Sequence, residues 1–245
     1  MKLRVAINGF GRIGRVFLRS VLSHPKIEVV AINDLSSSKI MSHLFKYDSI
    51  HRIFNGDVNY KNDLIIINGT PINYTSISNP EDLPWKDLKV DLVIECTGCF
   101  KTKALASKHI IAGAKKVIIS APSLDNDVKT IVMGVNDELI DGNDKIISNA
   151  SCTTNSAAPM IQLINNNFGI ESAYITTIHS YTTDQMLHDS PHHDLRRARA
   201  GSTSIVPTTT GAAKAITKIF PELNKKMGGC GIRVPVPDGS LTDIT

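Results

Sequence analysis

The stretch Gly9-Phe10-Gly11-Arg12-Ile13-Gly14 constrains the fold more than any other part of the chain. It follows an apolar strand-like run, Leu3 to Asn8, and opens an amphipathic helix through Ile13, Val16, Phe17, Val21 and Leu22. In that setting each glycine has a task. The first makes a tight turn, the second lets a pyrophosphate approach the backbone, and the third lets the helix pack on the strand. Glu28 to Asn33 reads as the next strand and delivers Asp34 to its end, about 20 residues beyond Gly14, where a carboxylate meets the ribose of a bound dinucleotide. A carboxylate there accepts hydrogen bonds from ribose hydroxyls and repels a 2′-phosphate, so NAD is expected over NADP. The motif by itself also admits a glycine-rich loop that binds nothing; the strand, helix and acid around it argue against that.

The pattern continues as alternating strands and helices. Ser36 to Phe45 reads as a helix with serines able to cap its start. Leu64 to Ile67 and Pro71 to Tyr74 flank Asn68-Gly69 as a hairpin. Asp91 to Glu95 is a buried strand, and Thr97-Gly98 follows where a parallel strand meets a cofactor crevice. Thr102 to Ala112 is a helix closed by Gly113, and Lys116 to Ser120 is a strand that ends at the same crevice. Thr130 to Val135 and Lys145 to Asn149 complete the strands. A doubly wound parallel (Rossmann) sheet is expected over residues 1–151. Residues 152–245 then read as an α+β catalytic domain: a long strand Ile170 to Tyr181, a polar loop Thr182 to Ser204, a helix Ala212 to Phe220, and strands Gly231 to Val236 and Leu241 to Thr245, with an antiparallel sheet expected.

Cys152 lies between the strand-like run ending at Asn149 and a run from Thr153 to Asn167 whose Ala157, Met160, Ile161 and Ile164 recur at helical spacing. A cysteine at a helix N-terminus is favoured as thiolate, the nucleophilic form. Ser151, Thr153 and Thr154 add hydroxyls that cap the helix or hold an oxyanion. The plain reading of a lone cysteine is a buried, inert thiol. His179, ending the long strand, is the candidate partner: an imidazole there takes the thiol proton and later serves as acid or base on the substrate oxygen, although a lone histidine ending a strand is more often structural. With a nicotinamide site the pair defines a reaction in which a thiolate adds to an aldehyde, hydride passes to the nicotinamide, and an acceptor releases the thioester.

Composition excludes other classes. Of 245 residues, 42% are hydrophobic and 20% charged, as in a soluble globular protein. The formal net charge of +4 is spread out apart from Arg196, Arg197 and Arg199, which suits a small anionic substrate better than nucleic acid. The N-terminus carries Lys2 and Arg4 and reaches Gly9 at once, so neither a signal peptide nor a membrane span is expected, and the cytoplasm is the expected compartment. Cys96, Cys99, Cys152 and Cys230 do not make a disulfide framework. Cys96 and Cys99 have the C-x-x-C spacing of zinc or redox sites, but no second Cys or His pair completes a metal site, and none is expected.

The stretches INGFGRIGR, SNASCTTNSAAP, HSYTTDQ, DLRRARAGSTSIVPTTTGAAKA and IRVPVPDGS closely resemble the phosphorylating glyceraldehyde-3-phosphate dehydrogenases, along the whole chain. The resemblance implies Cys152 as nucleophile and His179 as its activator. It implies NAD contacts at Arg12, Ile13, Asp34 and Ser120, beside the Gly9, Gly11, Gly14 and Thr97 read from the motifs. Ser151, Thr153, Thr210, Gly211 and Arg197 would surround the attacking inorganic phosphate, and Thr182, Asp184 and Arg233 the substrate's own phosphate; hydroxyls, N–H groups and arginines suit anionic oxygens. It also implies glycolytic turnover and a homotetramer in which the arginine-rich loop meets a neighbouring subunit. A solvated loop is the plainer reading of those arginines.

Three positions depart from the family's pattern. Ser156 stands where many members carry a second cysteine, and Ser78 where many place an arginine near the adenine. The chain stops at Thr245, inside what the family builds as the catalytic-domain sheet, so further strands, an asparagine that orients the nicotinamide and a C-terminal helix are expected to be missing. Three other functions stand beside the leading one: erythrose-4-phosphate dehydrogenase, an inactive NAD-binding fragment, and a cysteine hydrolase. Tyr181, Thr182, Thr183 and the run Pro207 to Gly211 resemble the glyceraldehyde enzyme more than the erythrose one.

Overall fold

The computed structural model describes residues 1–245, and the chain divides into two compact units. The first comprises Met1–Lys129 with Ile140–Asn149, the second Thr130–Leu139 with Ala150–Thr245.

The first unit begins with β1 (Leu3–Asn8), α1 (Arg12–Val21), β2 (Ile27–Asn33) and α2 (Ser38–Lys46). Four short strands follow, β3 (Tyr47–Asp48), β4 (Arg52–Ile53), β5 (Val58–Tyr60) and β6 (Leu64–Ile67), then β7 (Thr70–Thr75). Next come β8 (Leu92–Glu95), α3 (Lys103–Ile111), β9 (Lys116–Ile119), β10 (Lys129–Thr130) and β11 (Ile146–Ser148). The sheet order is β10-β11-β9-β8-β1-β2-β7-β6-β5. The run from β11 to β7 is parallel throughout, and β6 and β5 close it antiparallel. This is the expected doubly wound arrangement. The central strands are apolar on both faces because helices cover both. Adjacent residues of β1 go opposite ways, Ala6 into a cluster with Trp85, Val93 and Val117, and Ile7 into one with Phe10, Phe45 and Ile65.

Local chemistry sets the boundaries. Ser37 and Thr102 cap α2 and α3 by accepting from Ile40 N–H at 3.3 Å and Leu105 N–H at 3.2 Å. Asn68 (φ 50°) and Gly69 (φ 78°) make the two-residue turn between β6 and β7, both in the left-handed region that this hairpin demands.

The expected strand Thr130 to Val135 is corrected: only Lys129–Thr130 is a strand. Its apolar run has the right composition, but Asn136 folds the chain back, accepting from Val132 N–H at 2.8 Å and donating to the Thr130 carbonyl at 2.9 Å. Val132 and Val135 bury into the second unit's core instead.

The second unit contains α4 (Cys152–Phe168), β12 (Ala173–Ser180), β13 (Val206–Thr208), α5 (Ala212–Ile219), β14 (Met227–Val234) and β15 (Ser240–Ile244). Its sheet runs β13-β14-β12-β15. The expectation of an antiparallel sheet is corrected, since β12 and β14 are parallel while both edges are antiparallel. Parallel neighbours need a crossover, and α5 lies in that connection. β14 starts at Met227, earlier than the expected Gly231, because glycines hide its strand pattern. A Cβ on Gly228 would stand 2.7 Å from the Tyr174 ring, so the glycine admits that ring on the adjacent strand. Ala157, Ala158 and Ile161 of α4 pack with Ile175 and Ile216 to form the core.

Candidate active site

In the first unit the glycine-rich turn is a cradle fixed by sterics. Gly9 has φ 90°, and a Cβ on it would stand 2.7 Å from the Thr97 nitrogen. A Cβ on Gly14 would overlap the Gly9 carbonyl oxygen and sit 3.0 Å from the Ile7 side chain. Gly11, by contrast, faces open space, with no atom within 4 Å of where its Cβ would be. It caps α1 without a side-chain hydrogen bond, so the N–H groups of the first turn, at Arg12, Ile13 and Gly14, have no side-chain partner. Open space beside free N–H groups and a helix's positive end suits a pyrophosphate. Asp34 is anchored by Phe10 N–H at 2.8 Å and Ser36 N–H at 3.0 Å, and its remaining lone pairs can accept ribose hydroxyls. Ile13 is 58% exposed, an apolar side chain at the mouth of the turn. Arg12 lies 3.7 Å from Asp48. The residues present therefore fit a dinucleotide.

Thr97 and Ser120 are held at the ends of β8 and β9 by Glu95. Its carboxylate accepts from Thr97 N–H at 2.7 Å and from the Thr97 hydroxyl, and its carbonyl accepts from Ser120 N–H at 3.0 Å. Glu95 is 1% exposed and also receives Asn8 Nδ2 at 2.6 Å and His109 Nε2 at 3.1 Å. Sequence reasoning missed this buried set; the register of β1 on β8, which pairs Asn8 with Glu95, carries it.

In the second unit Cys152 is the first residue of α4. Ser151 caps the helix, accepting from Thr154 N–H at 3.1 Å, and Ala150 before it is buried with φ 58°, a left-handed backbone unusual for alanine. The joint aims Cys152 outward, so that its thiol is exposed while Thr153 and Thr154 are buried. The Cys152 Sγ lies 3.2 Å from His179 Nε2 and 4.0 Å from the Thr153 hydroxyl. The His179 contact pulls the thiol down to about 7, and the same contact raises the His179 imidazole above its ordinary value. The other cysteine with a resolved shift behaves oppositely, since burial pushes Cys96 up to about 12. Thiolate chemistry near neutral pH thus belongs to Cys152.

Around the pair stands a basic cluster. Arg197 donates to the Thr208 hydroxyl at 2.8 Å, Asp184 at 2.9 Å and the Thr209 carbonyl at 3.3 Å. Burial alone would raise the Asp184 carboxyl, yet hydrogen bonds from Arg197 and His192 hold it below the usual range. Arg233 reaches the His179 ring, with NH1 2.7 Å from Nδ1 and 3.0 Å from the Ser180 carbonyl. No carboxylate pairs with it; burial and the Arg197 charge both lower its pKa. Such an arginine is available to an anion. Thr210 and Gly211 lie at the start of α5, with the Thr210 hydroxyl accepting from Ala212 N–H at 3.2 Å. Thr182 N–H donates to Gln185 at 3.3 Å, leaving its exposed side chain free of any hydrogen bond. Thr208 and Asp194, which brace Arg197 and Arg196, were not singled out from sequence, although Thr208 lies inside the VPTTTG run.

The Glyceraldehyde 3-phosphate dehydrogenase, NAD binding domain model matches residues 3–103, and the model of the C-terminal domain of the same enzyme matches residues 151–245. The chain belongs to the glyceraldehyde-3-phosphate dehydrogenase family. It is 53% identical to the glyceraldehyde-3-phosphate dehydrogenase of Clostridium acetobutylicum over 243 residues, which is 98% of this chain and 72% of that protein. The Streptomyces coelicolor enzyme of that name is 52% identical over 246 residues, 100% of this chain and 73% of the relative. For the Geobacillus stearothermophilus enzyme the identity is 49%, over 100% of this chain and 73% of the relative. No helix is long and apolar enough to cross a membrane.

Proposed function

We propose that this chain is a glycolytic oxidoreductase that converts D-glyceraldehyde 3-phosphate, inorganic phosphate and NAD to 1,3-bisphosphoglycerate and NADH. The observation that carries this reading is the 3.2 Å contact between Cys152 Sγ and His179 Nε2 at the start of α4. The thiolate adds to the aldehyde carbon, and the carbonyl oxygen takes a proton from His179 Nε2 to give a thiohemiacetal on Cys152. NAD, when bound, supplies the hydride acceptor. As the carbon is oxidised, Nε2 takes back the hydroxyl proton and a thioester remains on Sγ. Inorganic phosphate attacks the thioester carbon, and Cys152 leaves as the thiolate that began the cycle.

In this reading residues 1–151 hold NAD through Gly9, Gly11, Arg12, Ile13, Gly14, Asp34, Thr97 and Ser120, and residues 152–245, with Ser151 at the boundary, hold the substrates. Ser151, Thr153, Thr210, Gly211 and Arg197 surround the attacking phosphate; Thr182 and Arg233 hold the substrate's phosphate. Asp184, beside them, acts by fixing Arg197 rather than by facing a phosphate, because a carboxylate facing a phosphate would repel it. The resemblance of the Arg196 to Arg199 loop to its family counterpart supports a homotetramer, and the glycolytic role supports a cytoplasmic location.

Appearance of NADH absorbance with the full chain, glyceraldehyde 3-phosphate and NAD tests the reading. Turnover should require inorganic phosphate and vanish in Cys152→Ser. Faster phosphate-independent oxidation of erythrose 4-phosphate would transfer the assignment to that aldehyde, and NAD binding without turnover would reduce it to nucleotide binding.

A further inference from the structure

The Arg197 guanidinium is oriented by hydrogen bonds to a hydroxyl, a carbonyl and a carboxylate, and only the carboxylate is free to move. Nε donates to the Thr208 hydroxyl at 2.8 Å and NH2 to the Thr209 carbonyl at 3.3 Å, groups at the end of β13. NH1 donates to Asp184 Oδ2 at 2.9 Å. A guanidinium carries its N–H groups in a rigid fork, so these bonds leave an N–H free on each terminal nitrogen, the pair that meets an anion through two oxygens. Where that pair points depends on every anchor. Thr208 is buried in the sheet, whereas the Asp184 side chain is 42% exposed on the loop after β12.

The same Asp184 oxygen meets a second group, His192, whose Nε2 lies 3.2 Å away. The Asp184 carboxyl is held below its ordinary range, so it is ionised and only accepts; Nε2 therefore carries a proton and donates it. No group besides Arg197 and His192 hydrogen-bonds this carboxylate. The His192 ring is itself well fixed. Its side chain is 10% exposed, it stacks on His193 with ring centroids 4.2 Å apart, and its Nδ1 sits against the Asp194 backbone, 2.9 Å from the nitrogen and 3.1 Å from the oxygen. Without the Nε2–H bond, Asp184 would turn about its own side-chain bonds, loosen Arg197 and carry negative charge toward an anion bound there. We infer that His192 is a positioning residue for the attacking phosphate: by donating Nε2–H to Asp184 it keeps that carboxylate on Arg197 and out of the phosphate's space. The inference rests on the proposal that Arg197 binds inorganic phosphate, and it assigns the orientation of that arginine to a residue that never touches the anion.

The test is calorimetric titration of inorganic phosphate into the full chain, with sn-glycerol 3-phosphate in excess to fill the site proposed at Arg233. His192→Met, which keeps the side-chain length and loses the donor, should weaken inorganic phosphate by about tenfold. His192→Gln, of the same length with an N–H to give Asp184, should bind it as wild type does. Both variants lose the ring and its stacking equally, so a purely structural role would weaken them alike. Affinity for sn-glycerol 3-phosphate, titrated alone, should not change in either. In an Asp184→Ala background His192→Met should have no further effect, because the residue acts through that carboxylate. Wild-type phosphate affinity in His192→Met, equal losses in the Met and Gln variants, or a loss that persists without Asp184 overturns the inference while leaving the phosphate site intact. Absence of phosphate binding in the wild-type chain, or unchanged binding in Arg197→Gln, removes the phosphate reading of Arg197 and the inference with it. If His192→Met fails to fold, His192→Asn, too short to reach Asp184, takes its place.

Discussion

Cys152 Sγ lies 3.2 Å from His179 Nε2, although 27 residues separate them in sequence. Alkylation of Cys152 by neutral iodoacetamide should follow a single titration with a midpoint of about 7, because the His179 hydrogen bond is the largest cause of the lowered thiol pKa. In His179→Asn the midpoint should rise toward the ordinary thiol value of about 8.5, with turnover falling by roughly 10²–10⁴-fold as the proton carrier is lost. An unchanged midpoint in that variant would assign the activation to the helix terminus alone.

Gly11 and Gly14 separate binding from folding. Gly14→Ala forces a methyl into the Gly9 carbonyl oxygen, a backbone contact that cannot yield, and should destabilise the first unit by about 1–3 kcal/mol. Gly11→Ala meets no atom within 4 Å and has φ −69°, so its stability should stay within about 0.5 kcal/mol of wild type. The same methyl occupies the space proposed for the pyrophosphate and should weaken NAD by about tenfold or more, roughly 1.4 kcal/mol. Thermal melts with and without NAD distinguish the two; equal NAD affinity in Gly11→Ala and wild type would remove the pyrophosphate from that position.

What could be read from sequence is what is local. The strand before Gly9, the spacing to Asp34 and the helix after Cys152 are runs of neighbouring residues whose periodicity and turn chemistry act within one or two elements. The Arg233 contact with His179 spans 54 residues and exists because β14 pairs in parallel with β12 in the register that places those two residues side by side. Nothing in either segment announces that register, and the glycines at its start hide the strand itself. The run Ile131 to Val135 misleads for the opposite reason: its composition is that of a strand, but two hydrogen bonds from one side chain, Asn136, decide its path.

Glu95 holds the crevice end of β8 through two buried donors, Asn8 of β1 and His109 of α3, and through the exposed Thr97 just beyond β8. Trp85 Nε1 donates to His109 Nδ1 at 3.0 Å, which fixes the remaining ring proton on Nε2, facing Glu95. Glu95→Ala leaves the Asn8 and His109 donors buried without that acceptor and should cost on the order of 3–5 kcal/mol. Thr97 would also lose its anchor, so NAD affinity should drop in whatever fraction stays folded. A loss under about 1 kcal/mol in a denaturant melt would mean that water enters and replaces the carboxylate.

The loop from Thr182 to Ser204 contains one short 3₁₀ turn, and Asp194 at its start fastens much of it. That carboxylate accepts from Arg196 through both oxygens, at 3.1 and 3.2 Å, and from the Thr208 hydroxyl at 3.2 Å. The Arg196 hydrogen bond, first among the causes, pushes the Asp194 carboxyl down to about 2. A carboxyl lowered in the folded state binds fewer protons there than in the unfolded chain, so its contribution is fully present above the ordinary value of about 4. It is lost as the pH falls from about 4 through about 2. Hydrogen exchange should therefore show the Arg196 amide, which donates to Asp194 at 3.0 Å, protected at pH 5 and released across that window, with Asp194→Ala already unprotected at neutral pH. Release that begins well above about pH 4 would move the responsibility from Asp194 to another group.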